Sequence, residues 1–209
     1  IQANPLNYLW SAPKTNDADY AYLIFALGRL ANNDLSNAFS NVQRVAQGTP
    51  QNVQKYLYRT VAYIGGTTVM KNNFNREVLQ YFDASYGYPL SPEEAEIYAR
   101  QAIRFGAWES LIRAIDSMTV TQKQEDRWQY WLARASEQRG DSASKATAQQ
   151  IYRKLAQAGD DYHNLLAKDR LGERYNHQPY DDQPTASDLR RLDQNIHFNR
   201  AFTLRRINA

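Results

Sequence analysis

Hydrophobic positions recur along most of this chain at three- and four-residue intervals, the spacing of one helix face. Ala95, Tyr98, Ala99, Ala102 and Ile103 form one such stripe. Ser91-Pro92-Glu93-Glu94 stands directly before it. Serine accepts from the orphan N–H groups of a first turn, proline suits the first helical position, and Glu94 completes a capping box. Gly106 closes that helix, and Trp108, Leu111, Ile112 and Ile115 open another stripe. The arrangement then returns. Trp128, Trp131, Leu132 and Ala135 run to Gly140-Asp141, and Ala148, Ile151, Tyr152, Leu155 and Ala156 run to Gly159. Upstream, Leu35, Ala38, Phe39 and Val42 make one stripe, and Val53, Tyr56, Leu57, Thr60, Val61 and Ile64 make another. Period-two alternation is scarce, so the pattern predicts an all-α chain of about ten short helices joined by tight turns. Gly65-Gly66, inside Tyr63-Ile64-Gly65-Gly66-Thr67-Thr68, reads as a helix end.

The helices also repeat as pairs. Tyr98-Ala99-Arg100 lies 34 residues before Leu132-Ala133-Arg134, and Gly106 lies 34 before Gly140. One more step of 34 back from Gly106 and Trp108 reaches Asn72 and Phe74. This is the tetratricopeptide period, although the full consensus is absent. One helix pair cannot bury its apolar face alone, whereas stacked pairs can. The expected architecture is therefore an αα-superhelix, a degenerate tetratricopeptide-like solenoid arc, over residues 1–184.

The densest aromatic stretch is Trp128-Gln129-Tyr130-Trp131. Trp128 and Trp131 share a stripe with Leu132 and Ala135, which predicts packing between helices. Tyr130 falls off that stripe, with Arg127 at i−3 and Arg134 at i+4. Arg127, Tyr130 and Arg134 are thus the candidate binding residues, on a face open to solvent or ligand.

Composition adds limits. The chain has 209 residues, 43% hydrophobic and 22% charged, as in ordinary folded domains. No apolar run is long enough to span a bilayer, and no signal peptide is visible. The chain starts at Ile1 rather than methionine, so a processed or partial protein is expected. It has no cysteine, which excludes disulfide and thiolate chemistry. The net charge is +3, and residues 185–209 carry all of that excess, with Arg190, Arg191, Arg200, Arg205 and Arg206 against Asp188 and Asp193. One basic terminal helical segment is not the basic stripe of a nucleic-acid binder. No nucleic-acid partner is expected.

Catalytic chemistry finds little footing. His163, His177 and His197 match no zinc spacing, and no metal or cofactor is expected. The glycines at 65 and 66 lack the lysine and preceding strand of a phosphate loop. Asp160-Asp161 and Asp181-Asp182 are neighbours in sequence, which does not hold two carboxyls at a catalytic separation.

Residues 127–175, RWQYWLARASEQRGD…AQQIYRKLAQAGDDYHNLLAKDRLGERY, resemble the superhelical region of soluble lytic murein transglycosylases. The resemblance lies in Trp128, Tyr130, Trp131, Ala133, Arg134 and Gly140. It continues through Tyr152 to Ala156, Tyr162, Leu165, Leu166, Ala167, Leu171 and Gly172. Glu94 to Arg100 and Trp108-Glu109 fit the preceding repeat. Residues 1–90 agree only as further helices.

The resemblance implies a periplasmic protein of cell-wall turnover, acting on peptidoglycan glycan strands. In that family one glutamate serves as acid and then base, and the cut leaves a 1,6-anhydro end. That glutamate belongs to a separate lysozyme-like domain, in a Glu-Ser motif with a Gly-Leu-Met-Gln stretch downstream. Here the one Glu-Ser is Glu109-Ser110, set within an apolar stripe and with no Gly-Leu-Met-Gln after it. No catalytic residue is therefore expected. Residues 185–209 are expected to lead toward a catalytic domain of the same polypeptide that these residues do not include. The alternative expectation is a stand-alone tetratricopeptide-like scaffold for a protein or peptide.

Overall fold

The structure is a computed structural model that describes residues 5–72, 76–173 and 184–207. Among the described residues there are thirteen helices and no strand. They fall into two compact units, Ile1–Glu173 and Arg174–Ala209.

The first unit runs α1 (Pro5–Ser11), α2 (Asp17–Asn33), α3 (Leu35–Ala46), α4 (Gln51–Asn72), α5 (Arg76–Ala84), α6 (Pro92–Phe105), α7 (Trp108–Asp116), α8 (Val120–Gln124), α9 (Asp126–Arg139), α10 (Ser142–Ala158) and α11 (Tyr162–Arg170). Helices pack on sequence neighbours and on the next pair: α2 on α3 and α4, α4 on α5 and α6, α7 on α6 and α9, and α10 on α9 and α11. That is the stacking of an αα-superhelix. The 34-residue offset reaches the helix starts. Pro92 and Asp126 open α6 and α9, and Trp108 and Ser142 open α7 and α10. Gly106 and Gly140 end the first helix of each pair in left-handed backbone, at φ of 61° and 82°. A side chain would be strained there. The upstream step of the repeat falls at Asn72, the last residue of α4, and at Phe74, which lies outside the described residues.

The capping box expected at α6 is present. Ser91 Oγ accepts from the Glu94 N–H at 3.3 Å, and the Ser91 N–H donates to Glu94 Oε2 at 2.7 Å. The same carboxylate oxygen accepts from Arg59 Nη2 at 2.7 Å, so one buried glutamate both caps α6 and ties it to α4.

One expectation is overturned at Gly65-Gly66. The pair sits inside α4, the longest helix described, and not at a helix end. The reason is close approach. A Cβ on Gly65 would meet Phe39 at 2.8 Å and Val78 at 2.9 Å, and one on Gly66 would meet Ile97 at 2.4 Å. The missing side chains let α4 lie against α3, α5 and α6 together, which outweighs glycine's poor helix propensity.

Cross-pair polar bonds recur at a near-constant sequence separation. Lys14 donates to the Gln47 carbonyl, Arg59 pairs with Glu94, and Tyr86 bonds Asp116. Gln122 reaches the Pro92 carbonyl, Arg127 reaches Glu96, and Arg139 reaches Glu109. Each closes one helix pair onto the next.

The second unit contains α12 (Ala186–Gln194) and α13 (Ile196–Ile207), which pack on one another. Thr185 and Asp188 form a capping box at the start of α12. Leu189, Leu192, Ile196 and Phe198 are exposed.

Candidate functional site

Helix α9 holds the three residues singled out for binding, and the structure separates them. Tyr130 is 4% exposed. Its ring meets Trp131 edge-on at 5.6 Å and lies 6.0 Å from Tyr152 and 5.8 Å from His163. The expected solvent face around Tyr130 is therefore absent. The cause is the position of α9, which is covered on one side by α7 and on the other by α10 and α11. Trp128 and Ala135 enter the large core, Tyr130 and Ala133 enter a second core with Tyr152 and Leu155, and Trp131 packs against both. A helix inside a stack buries two faces, so being off one stripe does not mean facing water.

The two arginines sit at the rim. Arg127 donates to Glu96 at 2.8 Å and to Glu125 at 2.6 Å, and its guanidinium covers the Trp128 ring at 4.9 Å. Arg134 pairs with Glu137 of its own helix at 3.4 Å. Both guanidiniums thus serve packing and ion pairing.

Glu109 is exposed, contrary to the expectation that its neighbourhood is all packing. Ser110 and Leu111 are buried, while Glu109 turns outward at the first turn of α7. It lines an open pocket of about 350 Å³ with Trp108, Gln138 and Arg139. Arg139 grips its carboxylate through two bonds, at 2.7 and 2.8 Å. Those bonds hold the carboxyl below the usual range. A general acid at neutral pH needs the opposite shift, usually from burial without a cation. Glu109 has access to a pocket and the wrong electrostatics to protonate a leaving group.

A second polar cluster lies across the connecting segments. Asp83, at the end of α5, accepts from the Tyr98 hydroxyl, from Ser110 Oγ at 2.8 Å and from Arg113 at 3.4 Å. Burial, then the hydrogen bond to Asp83, pushes the Tyr98 hydroxyl far above its ordinary value. Tyr98 therefore stays protonated and serves as a donor strut. Beside it, Tyr86 donates to Asp116 Oδ2 at 2.9 Å, and Lys123 lies 3.6 Å from the other carboxylate oxygen. A pocket of about 280 Å³ opens between Tyr86, Tyr88, Leu90, Asp116 and Ser117. A separate pocket of about 210 Å³ shares Asp116 and is otherwise lined by Ile112, Ile115, Lys123, Gln129 and Leu132. No local sequence motif signals these pockets, because their walls come from the α5–α6 connection, the end of α7, and α8–α9.

Among the described residues, no group of three His, Cys, Asp or Glu side chains could hold a metal ion. His163 packs by Tyr130 and Tyr162, and burial lowers its pKa. His197 is exposed, and its backbone N–H donates to Asn195. Asp160 pairs with Lys168. His177 and Asp181-Asp182 lie outside the described residues. No described helix is long and apolar enough to cross a membrane.

No known family model matches the sequence, and no curated protein matches it. Solved structures do. The 70-kDa soluble lytic transglycosylase of Escherichia coli matches over 83% of this chain and 27% of its own, with 24% identity and a TM-score of 0.51. The 70-kDa soluble lytic transglycosylase in complex with bulgecin A matches over 97% and 33%, with 23% identity and a TM-score of 0.52. An inactive variant of the lytic transglycosylase Slt from Pseudomonas aeruginosa matches over 96% and 32%, with 21% identity and a TM-score of 0.58. The chain has the fold of a segment of soluble lytic transglycosylases. It spans about a third of the length of those proteins, or less. The all-α superhelical architecture read from the sequence is thus found in the protein and in its structural neighbours.

Proposed function

We propose that this chain is the superhelical scaffold region of a periplasmic lytic transglycosylase, acting in cell-wall turnover. It holds a peptidoglycan glycan strand and positions a catalytic domain of the same polypeptide, toward which residues 185–209 lead. The observation that carries this reading is the match over 96% of the chain to about a third of the Pseudomonas aeruginosa enzyme. The Trp128 to Gly172 motif order supports it independently. The scaffold supplies binding and orientation, which convert a diffusive encounter into a positioned one. Arg127 and Arg134 offer rim contacts to the strand. The catalytic carboxyl comes from the other domain.

The test has two readouts on murein sacculi. The purified chain should cosediment with them, and it should release no 1,6-anhydro muropeptides by mass spectrometry. Failure to cosediment overturns the glycan-holding role and favours the stand-alone peptide scaffold, which the regular 34-residue helix starts would also suit. Release abolished by Glu109→Gln overturns the placement of catalysis elsewhere.

A further inference from the structure

We infer that two copies of this chain pair through the outer face of α2, with the two helices antiparallel about an axis between Tyr22 and Phe25. The inference does not depend on the scaffold reading above.

Helix α2 packs on α1, α3 and α4, and its core side carries Leu23, Ala26, Leu27 and Leu30. Its remaining side is a second stripe. Ala18, Tyr22, Phe25, Arg29 and Asn32 follow at three- and four-residue steps, and all five are exposed. Tyr22 is 56% exposed and Phe25 53%. With the exposed Ala18 and Ala21 beside them, the two rings make one continuous apolar patch. Scattered exposed residues need no explanation, whereas a contiguous patch marks an interaction site.

The order of residues along the stripe identifies the occupant. Acidic Asp17 stands at one end, the two rings in the middle, and basic Arg29 at the other. Among the described residues, neither Asp17 nor Arg29 forms an ion pair. Laid antiparallel on a second copy, Tyr22 faces Phe25 of that copy, and Arg29 arrives beside Ala18 and Asp17. The alanines leave room for the longer side chains. A two-fold axis makes each of these contacts twice, so one stripe supplies both halves of the interface. Parallel pairing would set Arg29 against Arg29 and Asp17 against Asp17, and like charges oppose it. Four half-exposed rings contribute roughly 300–500 Å² of burial. That is part of the ~1,200 Å² of a stable interface, so the pairing is reversible and concentration-dependent.

The test is sedimentation equilibrium of the full chain from about 1 to 500 µM, a range that spans weak association. A monomer–dimer equilibrium is expected. Tyr22→Ser and Phe25→Ser should each raise the dissociation constant about tenfold or more, as central ring truncations do. Arg29→Asp should also weaken pairing, because it sets two carboxylates together. Asp17→Arg added to Arg29→Asp should restore the affinity to within about threefold, since the swapped pair re-forms across the axis. Circular dichroism checks that each variant is folded. A chain that stays monomeric overturns the inference and leaves the stripe to a helix of other origin. A dimer indifferent to Tyr22→Ser and Phe25→Ser overturns it too, by placing the contact elsewhere. Failure of the charge swap to restore pairing overturns the antiparallel arrangement.

Discussion

Replacing Gly66 with alanine adds one carbon where α4 lies against α6. That carbon would stand 2.4 Å from Ile97 Cγ2, and 3.7 Å from both Phe82 and Val78. Carbon atoms in contact prefer about 3.5–4.0 Å, so the Ile97 contact is too short by more than about 1 Å. Ile97 cannot turn away, because a β-branched side chain in a helix has essentially one χ1 rotamer. Phe82 and Val78 close the other directions, so the helices must part. Overpacking of this kind costs about 1–3 kcal/mol. Alanine's better helix propensity returns about 1 kcal/mol. With three buried neighbours the clash belongs at the upper end, leaving a net loss of about 2 kcal/mol. For a chain of this size that lowers Tm by about 4–8 °C. Gly28→Ala is the matched control. Its new carbon meets only Thr60 at 3.8 Å and Ile64 at 3.9 Å, ordinary contact between α2 and α4. It should raise Tm by about 2–4 °C. Thermal melts followed by circular dichroism read both. Ile97→Ala combined with Gly66→Ala should cost less than the sum of the single changes, because the clashing methyl is gone. If Gly66→Ala melts at or above the parent, the close-approach explanation is refuted.

Three further outcomes follow from the contacts. Glu94→Ala removes the α6 capping box and strands Arg59, and should cost about 3 kcal/mol in urea unfolding. An unchanged midpoint would show that neither contact matters. Trp131→Ala should cost about 3 kcal/mol, the low end for a large aromatic because Trp131 is only partly buried; an unshifted melting curve would deny its role between the two cores. His163 has a depressed pKa in the folded state, first through burial and then through Arg127, with Asp126 opposing. The unfolded chain therefore takes up its proton first, near pH 6.5, so this contribution is complete above that pH and is lost as pH falls toward the folded value. His163→Gln should shrink the drop in Tm between neutral pH and pH of about 5; a drop equal to the parent's would remove His163 from the acid response.

The elements from Ser91 to Gly159 were legible because local and long-range signals agree there. Capping residues, left-handed glycines and 3.6-residue stripes mark the same boundaries, and the repeat sets their order. Gly65-Gly66 was misread because propensity treats glycine as a helix breaker, while the tertiary contact with Ile97 rewards its missing side chain. Tyr130 was misplaced because one stripe per helix holds only for a helix with one covered side. A ring at each of Trp128, Tyr130 and Trp131 was the available sign that α9 is covered on two. The Tyr86–Asp116 pocket had no readable signal at all. Its walls are separated by 30 residues and meet only because one helix pair stacks on the next.

The even spacing of the bonds between successive pairs limits how this chain can change in length. One residue added within α6 or α9 turns every later side chain of that helix by about 100°. The buried stripe would rotate out, and Arg127 or Arg139 would lose its carboxylate on the preceding pair. Residues added in a connection between helices leave those partners facing each other. A whole unit of 34 residues, gained or lost, also restores the register. Lengthening or shortening by modules is therefore the inexpensive route for such a scaffold, and the reach of its surface changes in steps of one helix pair.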